Sequence, residues 1–395
     1  MKPIGVYVHF PWCLKKCPYC DFVSFAKDRA DIDHAGYADA VLAEIALRRE
    51  ALQGRQLRSV FFGGGTPSLW APSELGRVLR AILEASSGSS QHRDDVEITV
   101  ECNPTSLDEE RARALRDQGV NRLSVGVQGL DSERLRFLGR LHDADGGLAS
   151  VEAALRSGMP RVSADLIYGV ATGAEAPSPT EAAAEVDRVA ATGVTHVSAY
   201  SLTIEPGTQF GELARKGRLP IAPDDAVAEA FFAIEATLEA RGLAHYEISN
   251  YARPGDEARH NLGYWRGTDY LGLGCAAFGT IGDAAGHAVR YRNLPDPARY
   301  AKAALGGGLA GLVESEEPLD PETRLRERIM LGLRLRDGFD LEGSARELGI
   351  AAWTDDRRRA ADKLVARGDL TVEGGHLRLS PRARVAADAI TAALF

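Results

Sequence analysis

Short runs of β-branched and aromatic residues recur through the first half of the chain, and segments with helical periodicity lie between them. Strands that alternate with helices pair in parallel, because each helix carries the chain back to the starting edge of the sheet. The pattern predicts an α/β fold, either a barrel or an open sheet, with ligands at the carboxyl ends of the strands. The six predicted strands are residues 6–10, 59–62, 96–100, 122–127, 162–167 and 197–200.

Apolar residues at spacings of three and four predict the helices between these strands. The main predicted helices are residues 32–50, 72–84, 108–118 and 180–192. Stretches rich in serine, glycine and proline predict loops at 86–90 and 172–179.

The pattern changes after about residue 320, where helices follow one another without intervening strands. Two short apolar runs then follow that could pair as a hairpin, so we expect a small, mainly helical, winged-helix-like domain, a fold that does not by itself indicate DNA binding. The predicted helices are 322–335, 341–348 and 354–367, and the predicted hairpin strands are 370–372 and 376–379. We expect three parts: a core domain at 1–240, a barrel extension at 241–318 with strands near 245–251, and a C-terminal domain at 319–395.

The formal net charge of −9 argues against a general affinity for nucleic acid, because phosphate binding requires a basic surface. Arginine-rich segments at 324–336 and 357–359 lie among acidic residues at helical spacing. We therefore expect these segments to be solvated helix faces and not basic binding sites.

The chain enters its first predicted strand almost at once, so we expect no signal peptide, and the sequence has no apolar run of membrane-spanning length. We expect a cytoplasmic protein, since that compartment keeps thiols reduced. Peripheral contact with a membrane stays open, as does the choice between a monomer and a homodimer.

Cys13, Cys17 and Cys20 form a C-x3-C-x2-C motif directly after the first predicted strand. Three thiolates so close on one loop can converge on a soft metal centre, and in a four-iron cluster they leave one iron open for a small molecule. A disulfide, a structural zinc site and three unrelated cysteines are the alternatives. An odd number of cysteines disfavours the disulfide, and a closed zinc site needs a fourth ligand, for which Cys102 is remote in sequence.

Polar and glycine-rich segments follow the predicted strands. Consecutive glycines at 63–65 let a ligand approach the backbone, and their N–H groups can bind a carboxylate or a phosphate. Glu101 and Gln128 suit the hydroxyl and amino groups of a nucleoside, whereas helix capping or an ion pair is the alternative for Glu101. Arg140 could bind a carboxylate and Asp165 a ribose hydroxyl, with a structural ion pair as the plain alternative.

These residues, in this order, resemble the coproporphyrinogen dehydrogenase branch of the radical S-adenosyl-L-methionine (radical SAM) superfamily over about residues 7–335. The resemblance implies a partial (β/α)6 TIM-like barrel in which the three cysteines hold a [4Fe-4S] cluster. It also implies that S-adenosyl-L-methionine (AdoMet) binds the open iron and is cleaved to a radical with an electron from a donor. The residues that it places at the cluster and AdoMet are Tyr7, Tyr19, Gly64, Gly65, Thr66, Glu101, Gln128, Arg140 and Asp165.

Two features decide between the members of this branch. Its oxidative decarboxylase has a further cysteine two residues after the third, where this chain has Phe22. The segment from His260 to Trp265 matches an HNxxYW pattern that resembles the heme-chaperone members. That resemblance implies heme as cargo, His260 as its axial ligand, and Asn261, Tyr264 and Trp265 beside the macrocycle.

The expected function is therefore a heme chaperone that delivers heme to acceptor hemoproteins such as respiratory enzymes. The alternative is a radical SAM oxidoreductase that decarboxylates coproporphyrinogen III to protoporphyrinogen IX, or a related radical methyltransferase. From local chemistry alone, the ordinary reading is that His260 makes a hydrogen bond, as most histidines do, while its aromatic neighbours pack on the barrel.

Overall fold

The structure is a computed structural model that describes residues 1–86, 95–173 and 178–395. Most of the loop predicted at 86–90 and the middle of the loop predicted at 172–179 lie outside the described residues.

All six predicted strands are present, and they pair in parallel in sequence order. Alternate residues of the first strand, such as Ile4, Val6 and Val8, are fully buried in the core cluster that the flanking helices share, which leaves Tyr7 on the opposite face. The sheet curves but does not close, so the predicted partial (β/α)6 barrel is confirmed. The six strands are β1 (Pro3–Phe10), β2 (Gln56–Gly64), β3 (Glu97–Cys102), β4 (Arg122–Gln128), β5 (Arg161–Tyr168) and β6 (His196–Ser201).

The predicted helices between the strands are confirmed, with ends that differ by at most three residues. The first is shorter than predicted because the Asp33 side chain caps it at one end. The sixth begins with a capping box between Ser178 and Glu181. The helices of this half are α1 (His34–Leu47), α2 (Pro72–Ala85), α3 (Glu109–Asp117), α4 (Ser132–Phe137), α5 (Ala144–Arg156), α6 (Pro179–Ala191), α7 (Gln209–Arg215) and α8 (Asp224–Ala240).

Further strands extend the sheet at both sides to twelve in all. One of them runs parallel to β1, and the others are antiparallel to their neighbours. The elements of this part are β7 (Ala244–Glu247), β8 (Asn250–Ala252), α9 (Arg259–Trp265), β9 (Asp269–Leu273), β10 (Phe278–Gly282), β11 (Ala288–Asn293), α10 (Pro297–Leu305) and β12 (Val313–Leu319). The outer strands of the sheet are β12, which is exposed along most of its length, and the four-residue β7.

The C-terminal part has a separate hydrophobic cluster built around Leu325, Leu341 and Leu377. Its helices are followed by a hairpin, as the sequence predicts. The elements are α11 (Pro321–Gly332), β13 (Phe339–Asp340), α12 (Leu341–Leu348), α13 (Asp355–Ala366), β14 (Leu370–Glu373), β15 (His376–Leu379) and α14 (Ala387–Ala392).

The prediction that the arginine-rich segments are solvated helix faces is wrong for two residues. Arg357 is only 1% exposed and donates to the Leu394 carbonyl and to Glu322, so it ties the end of the chain to α11. Arg324 is also buried and pairs with Asp269. A guanidinium can be buried this way because its five N–H groups meet several acceptors at once.

Within the described residues, no helix combines the length and the apolar character that crossing a bilayer requires.

Candidate functional site

The barrel has two ends with different contents. We call the carboxyl ends of β1–β6 the upper mouth and their amino ends the lower mouth. The side chains that face the barrel interior are largely polar, unlike those that face the helices. Buried polar groups need hydrogen-bond partners. The two mouths differ in which of their polar groups have such partners.

The three cysteines of the motif lie together at the upper mouth. Cys13 ends a two-residue strand, Trp12–Cys13, that pairs with Phe25–Ala26, and the Cys20 N–H donates to the Cys17 carbonyl, which closes the turn between them. All three are free thiols, and they line one cavity of about 180 Å³.

Burial raises the pKa of the Cys13 and Cys20 thiols, so without metal both stay protonated at neutral pH. A bound metal displaces such protons. In the described chain no three His, Cys, Asp or Glu side chains converge on one ion position. In an iron–sulfur cluster, by contrast, each thiolate ligates its own iron.

The glycine turn at residues 63–65, where β2 ends, packs against the cysteine loop. The Gly65 N–H donates to the Phe10 carbonyl and the Thr66 N–H to the Trp12 carbonyl, at 2.7 and 2.8 Å. A Cβ atom on Gly65 would lie 2.5 Å from the Trp12 carbonyl oxygen, and Gly64 has a φ of +109°. Only glycine fits at both positions, so this turn fixes the cysteine loop against the neighbouring strand.

Two carboxyl groups lie deep in the same cavity. Glu101 accepts a hydrogen bond from the Gly64 N–H, and Asp165 accepts one from the Ser124 hydroxyl at 2.8 Å. Burial, reinforced by the nearby Asp165, raises the pKa of Glu101 to about 8. Burial also raises the pKa of Asp165. Glu101 therefore neither caps a helix nor pairs with an arginine within the described residues, and it remains available as an acceptor or a donor.

Arg140 and Gln128 complete the cavity. Arg140 donates to the Gly126 carbonyl at 2.9 Å and lies 3.6 Å from the Cys17 sulfur, while its buried Nε atom has no hydrogen-bond partner among the described residues. Gln128 has a φ of 66°, which is uncommon for a residue other than glycine and is typical of strained functional positions.

The upper cavity unites nearly all the residues predicted for the cluster and AdoMet. Its donors fit those groups, because three thiols, backbone N–H groups and unused carboxyl and guanidinium atoms surround one space. The predicted residues that line it are Cys13, Cys17, Tyr19, Cys20, Gly64, Gly65, Thr66, Glu101, Gln128, Arg140 and Asp165.

Tyr7 is the exception, since it does not line this cavity. It is buried beneath the cavity, and its hydroxyl is hydrogen-bonded to His9 Nδ1 at 3.0 Å. The other ring nitrogen of His9 donates to the Val23 carbonyl, within the cysteine loop. Burial lowers the pKa of His9 to about 4, so the ring is neutral and supports the loop from below.

The HNxxYW segment lies at the opposite end of the barrel. Helix α9 enters the lower mouth, and the His260 ring stacks on Phe61 with centroids 4.9 Å apart. Its Nδ1 is hydrogen-bonded to Ser59 at 2.8 Å and its Nε2 to the Tyr264 hydroxyl at 3.1 Å. Burial lowers the pKa of His260 to about 3, so the ring is neutral and both nitrogens are engaged.

Glu97 fixes the start of α9. This fully buried carboxylate accepts from the backbone N–H groups of Arg259 and His260 and pairs with Arg161. The first-turn N–H groups of a helix have no partners within the helix, so a carboxylate placed there satisfies two of them.

The other residues of the motif face outward from this anchor. The Trp265 ring lies under the Arg334 guanidinium at 4.6 Å, and its buried indole N–H has no partner among the described residues. Asn261 is half-buried. A cavity of about 940 Å³ lies outside α9, between the lower mouth and the C-terminal part, and Tyr264 and His260 form part of its wall.

Sequence reasoning missed three contributors: Ser124, Glu97 and Ser59. Ser124 stands four residues before Gln128 on the same face of β4, so strand periodicity could have identified it. Glu97 and Ser59 contact a helix that lies more than 160 residues further along the chain, and no local pattern indicates such contacts.

Two family models match the chain. Residues 7–173 match the radical SAM superfamily, and residues 319–386 match the HemN C-terminal domain. Together with the barrel and its upper cavity, these matches define the class of this protein as radical SAM.

Relatives in two bacteria share most of the chain. The heme chaperone HemW of Mycobacterium tuberculosis is 34% identical over 394 residues, which cover 100% of this chain and 95% of the relative. That of Escherichia coli K12 is 33% identical, with 94% and 92% covered. The chain therefore belongs to the HemW family.

A solved structure shares the fold. The coproporphyrinogen III oxidase HemN of Escherichia coli, described as a radical SAM enzyme, matches with a TM-score of 0.80 over 100% of this chain and 90% of the other. Its sequence identity is 22%, so this match shows the common fold alone.

Proposed function

We propose that this protein is a heme chaperone that binds heme and delivers it to acceptor hemoproteins. The observation that carries the proposal is the 33–35% identity to proteins named heme chaperone HemW, which for two of them extends over at least 94% of this chain. Phe22, where the related decarboxylase has a further cysteine, and the intact HNxxYW segment agree with it.

In this proposal the upper cavity holds a [4Fe-4S] cluster and AdoMet. Cys13, Cys17 and Cys20 are the cluster ligands, and when bound, the cluster would supply an electron to AdoMet. The backbone N–H groups at the glycine turn and Arg140 suit the carboxylate of AdoMet, because a guanidinium and backbone donors bind carboxylates strongly. Asp165, which accepts a hydrogen bond from the Ser124 hydroxyl, would also accept one from a ribose hydroxyl.

His260 is the proposed axial ligand of heme iron. Its low pKa favours the role, since only a neutral imidazole offers a lone pair to a metal. Its Nε2 is hydrogen-bonded to Tyr264, so ligation requires that this contact be given up. Tyr264, Trp265 and Asn261 would then border the macrocycle.

The proposal also specifies the partners, the compartment, the oligomeric state and the domains of the protein. The acceptors are hemoproteins such as respiratory enzymes, an electron donor serves the cluster, and nucleic acid is not a partner. We place the protein in the cytoplasm, as a monomer or homodimer, with peripheral membrane contact left to experiment. The proposed domains are residues 1–240, 241–318 and 319–395.

A heme titration followed by absorbance, on anaerobically reconstituted protein, tests the proposal. We expect saturable binding to the wild type and its loss or strong weakening in His260→Ala. His196→Ala is a matched control, because His196 is also a buried, hydrogen-bonded barrel histidine. Weak binding that is indifferent to His260 would overturn the ligand assignment. Formation of a decarboxylated product from coproporphyrinogen III would instead establish the alternative, an oxidoreductase.

A further inference from the structure

The lower cavity has a volume of about 940 Å³, which is at the upper end of the range for small-molecule sites. Its wall comes from several parts of the chain: the amino ends of β1 and β2, Tyr246 of β7, residues from Gly255 through α9 to Tyr270, and Leu335, Asp337, Gly338 and His376 of the C-terminal part. Such a junction between parts of a chain is a common place for ligand binding.

We infer that the lower cavity is the heme site, and that Arg58 and Arg266 bind the two carboxylates of the porphyrin. This inference rests on the proposed function and adds to it the place of the cargo and the groups that recognise it.

The arginines are available for this role. Arg58, on β2, and Arg266, directly after α9, are exposed at the cavity, and neither guanidinium group has a hydrogen bond or ion pair within the described residues. Arg259 also lines the cavity, but its guanidinium donates to the Asp95 carbonyl. Unpaired guanidinium groups are the preferred partners of carboxylates, because two parallel N–H groups match the two carboxylate oxygens.

Acidic residues also line the cavity, so it is not uniformly cationic. Asp269 is neutralised by Arg55 and Arg324. Glu257 accepts from the Gly255 N–H. Asp337 is exposed at the opposite wall. Recognition of an anionic ligand therefore depends on where the two free arginines lie and not on the net charge of the wall.

Tyrosine rings provide the flat surface. Tyr264 and Tyr270 meet edge to face with centroids 4.7 Å apart, and both also line a second, mainly apolar cavity of about 420 Å³ beside Trp265. Aromatic walls of this kind suit the faces and edges of a macrocycle. The Tyr264 hydroxyl is hydrogen-bonded to His260 Nε2, so heme held by its carboxylates would meet the iron ligand only after this hydrogen bond is broken.

The lower cavity is separate from the cavity proposed for AdoMet. The Tyr7, Phe61 and His260 rings stack inside the barrel between the lower cavity and the upper one. Heme in the lower cavity would leave the upper cavity accessible, so the two ligands should bind without competing.

The test is a heme titration on the full-length reconstituted protein with Arg58→Gln and Arg266→Gln, singly and combined. The matched control is Arg49→Gln with Arg299→Gln, two exposed arginines near α1 and on α10. We expect roughly tenfold weaker binding for each lower-mouth arginine removed, the order of one charge-assisted hydrogen bond, and no change in the control. Heme dimethyl ester should bind the wild type as weakly as heme binds the double variant, and saturating AdoMet should not displace heme.

The outcomes separate the two proposals. Saturable heme binding that both arginine variants retain, or that AdoMet abolishes, would overturn the lower-cavity site and leave the chaperone proposal standing. Absence of saturable binding to the wild type would overturn both. The ester measurement needs no variant, so it decides the role of the carboxylates even if a substitution impairs folding.

Discussion

The two mouths of the barrel differ in whether their polar groups have partners. At the upper mouth Arg140 has a buried nitrogen without a partner among the described residues, and Glu101 has a pKa near 8. At the lower mouth His260 and Glu97 use nearly every donor and acceptor within the protein. The contrast means that polar groups at the upper mouth are free to bind a ligand inside the barrel, whereas at the lower mouth α9 occupies the barrel interior and the cavity lies outside α9.

The largest effect should come from the cysteines of the upper mouth. Cys17→Ala should remove essentially all cluster iron and AdoMet binding, because the cluster would lose one of its three protein ligands. Iron and sulfide analysis after anaerobic reconstitution measures this. Cys275→Ala is the matched control, since Cys275 is a buried thiol that does not line the upper cavity, and this variant should keep its iron. Equal iron loss in both variants would contradict the assignment.

At the lower mouth, Glu97→Ala should destabilise the protein by about 3–5 kcal/mol, because it leaves Arg161 and the start of α9 without their buried partner. Denaturant unfolding measures the change. Glu152→Gln removes a carboxylate from an exposed ion pair and should change stability by less than about 1 kcal/mol. A small effect at Glu97 would mean that α9 is not anchored as described.

Glu101 should give the metal-free protein a distinctive pH dependence. Its pKa is raised from 4.5 to about 8, so the stability that this group contributes is complete below about pH 4.5 and is lost as the pH rises toward 8. At about 1.4 kcal/mol per pKa unit the loss amounts to a few kcal/mol. Unfolding at several pH values should show this slope in the wild type and not in Glu101→Gln. Parallel curves would contradict it.

The smallest effect is expected for the hydrogen bond between the Tyr264 hydroxyl and His260 Nε2. Tyr264→Phe removes the hydroxyl bonded to Nε2 and should cost about 1 kcal/mol of stability. It should also strengthen heme binding, because the imidazole is then free to ligate iron. Thermal unfolding and the heme titration measure the two results, with Tyr270→Phe as the neighbouring control. Weaker binding in Tyr264→Phe would show that the hydroxyl itself contacts heme.

The sequence allowed the sheet and the upper cavity to be predicted because their signals are local. Each strand is a short apolar run, and residues such as Glu101 and Asp165 stand on a strand near its end, so parallel pairing alone brings them together. Tyr7 was assigned by resemblance to the AdoMet site, yet it lies below the cavity and supports His9.

The lower mouth was not predictable in the same way. His260 and Ser59 are 201 residues apart, and neither residue signals that a later helix returns into the barrel. The burial of Arg357 was not predicted for the same reason. The helical spacing of charged residues around it suggests solvent exposure, but its partners Glu322 and Leu394 come from other elements.

The open barrel leaves two strand edges that could recruit other chains and start aggregation. On β12 the exposed residues include Glu314, Glu316 and Glu317, followed by Pro318, and like charges with a proline oppose pairing with a second strand. At the other side β7 has only four residues. The barrel can therefore stay open, with solvent access along its side, without presenting a long apolar edge for intermolecular sheet formation.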